Sequence, residues 1–465
     1  MADEPIRVRM APSPTGYLHV GNARTFLYNW FFARKRGGTI IMRIEDTDAD
    51  RHIEDAVEAI QTGMRWLGTD WDEEHRQSER TALYAAAASQ LAADGRAYWC
   101  GCTREEIDAR AKERGGPPGY DGHCRDLGLA PGDGRALRFR TPDDGATVVP
   151  DVVRGNPTFE NRTIEDFVVQ RANGSALFLL ANVVDDGEMR ITHVIRGEDH
   201  LPNTPKYLLL WDALRFGTHP VFAHLPMMVN EKRQKLSKRK GDPVVVADYR
   251  EEGYLPEVLA NYLALVGWGP SSGREHLTMS EMVDEFALED VSSSPGFFDV
   301  KKLRAFNGDA IRAMPVDDFV VAVEPFASKL PWADRFDLEL FRSVAPLVQE
   351  RVEVLADAAP MVDFLFLDEP DFDETSWAKT MGDENAGTVL DAVATAWEPI
   401  DWVAGQIGEV TLAAGDALGV SRKKSQAPVR VAITGRTVGP PLWESLEVLG
   451  RERALARLRA ARARL

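Results

Sequence analysis

Two short clusters hold the residues best suited to chemistry. The first runs Arg9-Met10-Ala11-Pro12-Ser13-Pro14-Thr15-Gly16-Tyr17-Leu18-His19-Val20-Gly21-Asn22-Ala23-Arg24-Thr25. An imidazole such as His19 can donate a hydrogen bond to a phosphate without a full positive charge. Gly16 and Gly21 let a nucleotide approach the main chain closely. The second cluster is Lys235-Leu236-Ser237-Lys238-Arg239. Lysines flanking a serine on a loop can close over a triphosphate and meet the charge that builds on a leaving pyrophosphate. Either cluster alone would pass for a surface loop. Together they point to one nucleoside triphosphate, although neither is a Walker loop or a G-x-G-x-x-G turn.

A third cluster suggests a metal. Cys100, Cys102 and Cys124 are the three cysteines of the chain. Closely spaced thiolates outside a disulfide framework favour zinc. Generic chemistry offers the imidazole of His123 as the fourth ligand.

The elements around these clusters follow from hydrophobic pattern. Ile6–Arg9 reads as a strand, and Arg24–Arg34 carries apolar residues at helical spacing. The first cluster is then a strand, a Pro/Gly-locked loop and a helix start. Free backbone N–H groups and the positive end of a helix would meet a phosphate there. A second strand begins at Thr39, with Glu45 near its end on the same rim. Helices are expected near 52–68 and 79–94, so the order is that of a nucleotide-binding half. Residues 100–185 read as an inserted α+β part, with a strand at Ala136–Arg140. The α/β signal returns with strands at 191–199 and 221–226 around a helix at 203–216. Beyond 245 helices are expected near 256–266, 279–286, 299–312, 316–328 and 336–357. The acidic stretch 368–384 reads as a solvated loop and face, and Arg451–Leu465 as an arginine-rich helix.

The 465 residues are too many for one core and imply several domains. A net charge of −18, taken alone, argues against nucleic acid as a partner. A local basic groove on an acidic body remains compatible with it. The start Met-Ala-Asp-Glu-Pro lacks a basic-then-apolar leader, and no apolar run is long enough to span a membrane. A soluble, cytoplasmic protein is expected.

The two basic clusters resemble the His-Ile-Gly-His-type and Lys-Met-Ser-Lys-Ser-type signatures of class I aminoacyl-tRNA synthetases. Asn22 replaces the final histidine of the first, and Leu236 and Arg239 depart from the second. Other segments narrow the likeness. They are Ala11–Gly16, Arg43–Asp48, Asn182–Asp186, Ile195–His200, Ala427–Gly435 and Leu449–Arg453. With them the chain resembles bacterial glutamyl-tRNA synthetases over essentially its whole length.

That resemblance implies a reaction in two steps. The α-carboxylate of L-glutamate attacks the α-phosphorus of ATP, which Mg²⁺ accompanies, and pyrophosphate leaves. The 3′-terminal ribose of tRNA(Glu) then takes the glutamyl group. Activation in this family generally needs bound tRNA. No side-chain nucleophile is required, because positioning and phosphate charge stabilisation suffice.

The resemblance also implies roles. His19, Lys235 and Lys238 are expected to be catalytic. Pro12, Thr15, Gly16, His19, Gly21, Asn22, Glu198, Asp199, Leu236, Ser237, Lys238 and Arg239 are expected to meet ATP. Arg9 and Arg196 match positions that contact the amino acid, and a guanidinium fork suits a carboxylate. Glu45 would pair the ammonium. Ala11, Ser13, Phe178 and Asn182 complete that pocket. The family usually has a tyrosine where this chain has Phe178. Losing one hydrogen bond to a charged group costs roughly 1.5–3 kcal/mol, about tenfold to a hundredfold in affinity. A subset of the family carries Cys-x-Cys…Tyr-x₃-Cys, which selects Tyr120 over His123 as the fourth ligand of a structural zinc. Arg351 matches an arginine near the third anticodon base.

The implied plan is multidomain α/β plus all-α. A class I Rossmann-like catalytic domain would occupy 1–97 and 186–242. An acceptor-end-binding insertion would occupy 98–185. A helical stem-contact domain (243–310) and a helical anticodon-binding domain (311–465) would follow. The family is usually monomeric. The alternative is a specialised or catalytically impaired paralogue acting in RNA binding or regulation. A glutamyl-queuosine-type enzyme would lack the last 150 or so residues, and a glutaminyl enzyme usually carries β-barrel anticodon domains.

Overall fold

A computed structural model describes residues 5–14, 16–47, 54–115 and 119–465. The chain forms two compact units. One is Met1–Asp248 with Leu259–Asp299, the other Tyr249–Val258 with Val300–Leu465.

The first unit is built on parallel strands. Arg7–Met10, Thr39–Ile44 and Glu73–Arg76 pair in that order, with Arg9 opposite Ile41 and Ile41 opposite Glu73. Val8, Met10, Ile40, Ile41 and Met42 are wholly buried, as expected of a parallel sheet covered on both faces. A second parallel pair, His193–Gly197 and Val221–Leu225, sets Arg196 opposite His224. It begins beside the first strand, where the Thr192 N–H donates to the Arg7 carbonyl at 3.0 Å. Strand order therefore reverses between Arg7–Met10 and His193–Gly197, and ligands bind beyond the carboxyl ends at such a switch point.

The antiparallel strands Ala97–Cys100, Ala136–Phe139 and Val168–Gln170 form a separate sheet. Its Leu137, Phe139 and Val169 share one apolar core with Leu180, Tyr207 and Phe222. The expected domain edges at 97/98, 185/186 and 310/311 fall inside elements: strand Ala97–Cys100, helix Phe178–Glu188 and helix Val300–Ala313.

The second unit is helical, running through Val316–Ala327, Leu338–Gln349, Ala386–Trp397, Ala404–Ala417, Arg422–Thr434 and Arg451–Arg464. Trp397 is fully buried and donates to Thr411 Oγ1 at 2.9 Å. Gly435 has φ +77°, and a Cβ there would sit 2.0 Å from the Asp371 carbonyl, so only glycine fits.

Four expectations are corrected. The first helix begins at Val20, not Arg24, because His19 caps it. A strand at Glu73–Arg76 was not expected, since its four polar residues carry no hydrophobic pattern. The helix expected over 336–357 spans Leu338–Gln349. Beyond it Val352 and Val354 are buried while Arg351 and Glu353 are exposed, a period of two that a helix cannot bury. The acidic stretch contains a helix, Glu374–Met381, whose Asp373 cap accepts from the Ser376 N–H.

Candidate active site

A cavity of about 300 Å³ opens at the switch point. Arg9, Ala11, Ser13, Glu45, Phe178, Asn182 and Arg196 all line it. So do His19, Gly21, Asn22, Glu198, Asp199, Lys235 and Leu236. A second cavity, of about 380 Å³, shares Ser13, His19 and Asn22 and adds Pro12, Gly16 and Lys238. Ser237 and Arg239 line neither, and Thr15 lies outside the described residues.

One side of the cavity is a buried ionic network. Arg9 reaches Asp186 through Nε at 3.2 Å, and this is the one side-chain partner it has among the described residues. Arg43, on the neighbouring strand, is wholly buried and donates to Asp186, to Glu45 Oε1 (3.1 Å) and to Asn182 Oδ1 (2.8 Å). Asn182 Nδ2 donates to the same Glu45 oxygen at 2.9 Å. Asp186 also accepts from the Tyr207 hydroxyl at 3.0 Å. Burial opposes the Asp186 charge, but Arg43 and Arg9 hold its carboxyl below the usual range. Burial pushes the Glu45 carboxyl up against the pull of Arg43 and Arg9. The helix Phe178–Glu188 supplies Phe178, Asn182 and Asp186 from one face, because residues four apart are neighbours on a helix.

The opposite strand end supplies Arg196, which is 6 % exposed. Burial and Arg9 bring its guanidinium down to about 10, so it stays charged at neutral pH. His200 stacks on Phe178 with ring centroids 5.7 Å apart. Burial and Arg196 push its imidazole down to about 4. Arg24, buried on the first helix, also lines the cavity and donates to the Val266 carbonyl at 2.9 Å. Sequence motifs did not single out Arg24, Arg43, Asp186 or His200 for the site. Arg43, Asp186 and His200 nonetheless lie inside the quoted family segments, which was the available signal.

The phosphate loop differs from the expected one. His19 Nδ1 accepts the Gly21 N–H at 3.1 Å, which leaves Nε2 as the protonated nitrogen of a neutral ring. Burial, then Lys235, lowers its pKa. The Val20 N–H donates to the Val244 carbonyl at 2.8 Å and that of Ala23 to His19 at 2.9 Å. Two N–H groups of the helix start, those of Val20 and Gly21, are thus taken within the chain, while the Ala23 bond is the first ordinary turn of the helix.

The lysine loop is fastened at both ends. The Leu236 N–H donates to Met228 at 3.1 Å, and the Val246 N–H donates to Leu18 at 3.0 Å. Between these, Asp242 accepts from the Ser237 N–H at 2.9 Å and from Asn230 at 3.2 Å. Leu236 is buried, while Lys235, Lys238 and Arg239 are exposed. Lys235 pairs with Asp199 at 3.2 Å, and Lys238 lies 5.2 Å from the Tyr17 ring.

Away from the cavity, the sulfurs of Cys100, Cys102 and Cys124 lie within 4.8 Å of one another. The Tyr120 hydroxyl accepts from the Cys124 N–H at 2.7 Å and lies 3.5 Å from Cys100 Sγ. His123 is exposed. Arg110 Nη2 reaches Cys102 Sγ at 3.2 Å. In the second unit, Arg351 is exposed and its charge, after burial, lowers the pKa of the half-buried Arg430. The arginine-rich helix is turned largely to structure. Arg453 donates to Leu365 and Leu367 carbonyls, and Arg457 to those of Ile433, Phe364 and Leu367.

Comparison with known proteins agrees with this geometry. Residues 5–305 match the model of the tRNA synthetases class I (E and Q) catalytic domain, and 318–462 that of an anticodon binding domain. The chain is 55 % identical to a glutamate–tRNA ligase of Salinispora arenicola, covering 99 % of each. It is 52 % identical to that of Thermobifida fusca, covering 99 % of this chain and 98 % of the relative. A crystal structure of a glutamate tRNA ligase from Elizabethkingia meningosepticum, in complex with its amino acid, superposes with a TM-score of 0.84 at 31 % identity, covering 99 % of each chain. This chain belongs to the class I tRNA synthetases for glutamate and glutamine and, within them, to the glutamate–tRNA ligase family.

Proposed function

We propose that the chain is an ATP-dependent ligase that joins L-glutamate to the 3′ end of tRNA(Glu), releasing AMP and pyrophosphate. One observation carries the assignment: the buried guanidiniums of Arg9 and Arg196 and the buried carboxylate of Glu45 line the same cavity as His19 and Lys235, while the third buried guanidinium of its wall, Arg24, is committed to the Val266 and Pro226 carbonyls. Two cations and one anion complement the two carboxylates and one ammonium of glutamate. Arg9 and Arg196 pair the carboxylates, and Glu45 pairs the ammonium. Ala11, Ser13, Phe178 and Asn182 shape the remaining wall.

ATP lies along His19, Gly21 and Asn22, with Pro12, Gly16, Glu198, Asp199, Leu236 and Ser237 around it. Mg²⁺ accompanies the phosphates. The His19 Nε2–H donates to a phosphate oxygen. Lys235, Lys238 and Arg239 meet the charge that grows on pyrophosphate as the carboxylate oxygen bonds to the α-phosphorus. The ribose hydroxyl of tRNA then attacks the glutamyl carbonyl, and AMP leaves. The insertion at 98–185 receives the acceptor end, 243–310 the stem and 311–465 the anticodon, with Arg351 at its third base. Cys100, Cys102, Cys124 and Tyr120 hold a structural zinc, since three thiols and a phenol at these distances fit a tetrahedral site. The metal would brace the insertion and supply nothing to the reaction. On this reading the enzyme works in the cytoplasm.

The test is exchange of labelled pyrophosphate into ATP with glutamate, with and without tRNA. Glutamate-dependent exchange that requires tRNA is expected. Exchange absent under both conditions would overturn the enzyme in favour of an RNA-binding paralogue, and exchange with glutamine alone would overturn the substrate.

A further inference from the structure

Arg196 is held from behind by residues that the reaction does not use. Its Nε donates to His224 Nε2 at 3.2 Å, and its Nη2 donates to Thr204 Oγ1 at 2.9 Å. On the far side of the same ring, His224 Nδ1 lies 2.5 Å from Asp151 Oδ2. Asp151 and His224 side chains are wholly buried. Every remaining lone-pair direction of the carboxylate is used. Oδ2 also accepts the His224 N–H at 3.0 Å, and Oδ1 accepts those of Val153 (2.9 Å) and Arg154 (2.7 Å).

The donor count fixes the tautomer. A carboxylate only accepts, so His224 Nδ1 carries the proton. A guanidinium only donates, so Nε2 presents its lone pair to Arg196, and the Thr204 hydroxyl, which accepts from Arg196 Nη2, lies 3.0 Å from the same nitrogen and can donate to it. The ring is therefore neutral, in keeping with the lowering of its pKa by burial.

We propose that Asp151 and His224 are positioning residues for Arg196: Asp151 sets the His224 tautomer, and His224 then aims the guanidinium at the carboxylate of the amino acid. The proposal rests on the glutamate-binding reading of the cavity. The arrangement parallels the way a carboxylate orients a ligating imidazole from outside a site. Thr204 and His224 hold Nε and one Nη2 proton, which leaves the other edge of the fork to the substrate. The carboxylate is on the turn Asp151–Gly155, far in sequence from the strand it orders.

The test is a set of variants assayed by glutamate-dependent pyrophosphate exchange with tRNA present. Asp151→Asn removes one acceptor and adds a donor at Nδ1. The ring then protonates Nε2, which confronts the Arg196 Nε–H. Glutamate KM is expected to rise at least tenfold, while ATP KM stays within twofold. His224→Gln keeps a carbonyl acceptor near the Nε2 position, whereas His224→Leu removes it. The Gln variant is expected within about threefold of wild-type glutamate KM and the Leu variant at least tenfold above. Circular dichroism checks folding, and if Asp151→Asn does not fold, the Gln and Leu pair decides. Glutamate KM unchanged in Asp151→Asn and His224→Leu overturns the proposal. So does an equal rise in both KM values, which a general loss of structure would give. A wild-type chain with no glutamate-dependent exchange overturns the functional reading instead, and this proposal with it.

Discussion

At the scale of single residues, most side chains facing the cavity were legible in the sequence, Arg24 and His200 excepted, and those behind them were not. Arg9, Glu45 and Arg196 stand in segments that resemble the family's, and their residue types suit the roles which that likeness implies. Arg43 and Asp186 look like ordinary strand and helix residues, yet they join across 143 positions of sequence. Nothing local announces such a pair, because tertiary proximity creates it. Their burial makes them consequential, since removing one partner of a buried ion pair costs about 3–5 kcal/mol. Phe178 invites the sharpest residue-level prediction. Its ring lies against His200 in the candidate cavity with no polar atom of its own. Phe178→Tyr restores a hydroxyl there and is expected to lower glutamate KM about tenfold, the worth of one hydrogen bond to a charged group. An unchanged KM in steady-state aminoacylation would mean that the hydroxyl was never limiting.

At the scale of elements, hydrophobic periodicity found most helices before residue 350 and most buried strands, but it named no helix at Phe178–Glu188, Ala386–Trp397, Ala404–Ala417 or Arg422–Thr434. It missed Glu73–Arg76, a polar edge strand whose place is set by pairing to Ile41–Ile44 rather than by its own side chains. It also misplaced the start of the first helix, because a histidine is not an ordinary cap. The cysteine cluster spans three elements: the end of strand Ala97–Cys100, the loop bearing Cys102, and the segment of Tyr120 and Cys124. A metal there would tie them together where few apolar residues do so. Metal analysis of the purified chain is expected to give one zinc per molecule, and chelation to lower the unfolding midpoint of the insertion. Absence of zinc with all three thiols titratable would remove the site.

At the scale of the whole molecule, net charge is a poor guide to which arginines are free to meet a nucleic acid. The net charge of −18 coexists with an arginine-rich terminal helix whose guanidiniums largely satisfy backbone carbonyls. Composition alone could not separate such structural arginines from those that meet phosphate. Charge burial also sets an acid limit. Burial, chiefly, holds His193 and His200 down to about 4, below the ordinary value of about 6.5. Between those values the unfolded chain binds more protons than the folded one. Stability is therefore complete above pH ~6.5 and lost as pH falls toward 4, by at most about 1.4 kcal/mol per pH unit for each group. Urea unfolding at pH 7, 6 and 5 is expected to show that decline, with a smaller slope in His200→Gln. A flat profile would mean that both rings titrate normally.

The lysine loop has a consequence of its own. Main-chain bonds at Leu236–Met228 and Val246–Leu18 pin its two ends to the same framework that carries the cavity. Fixing one residue of free chain costs roughly 1–2 kcal/mol of conformational entropy. Had the loop been tethered at one end, closing it over a nucleotide would incur that cost along most of its length. Pinned twice, it has already met much of that cost during folding. On the proposed reading of this loop, nucleotide affinity depends on the span between the pins, and a lengthened loop is expected to weaken binding without altering a single charge.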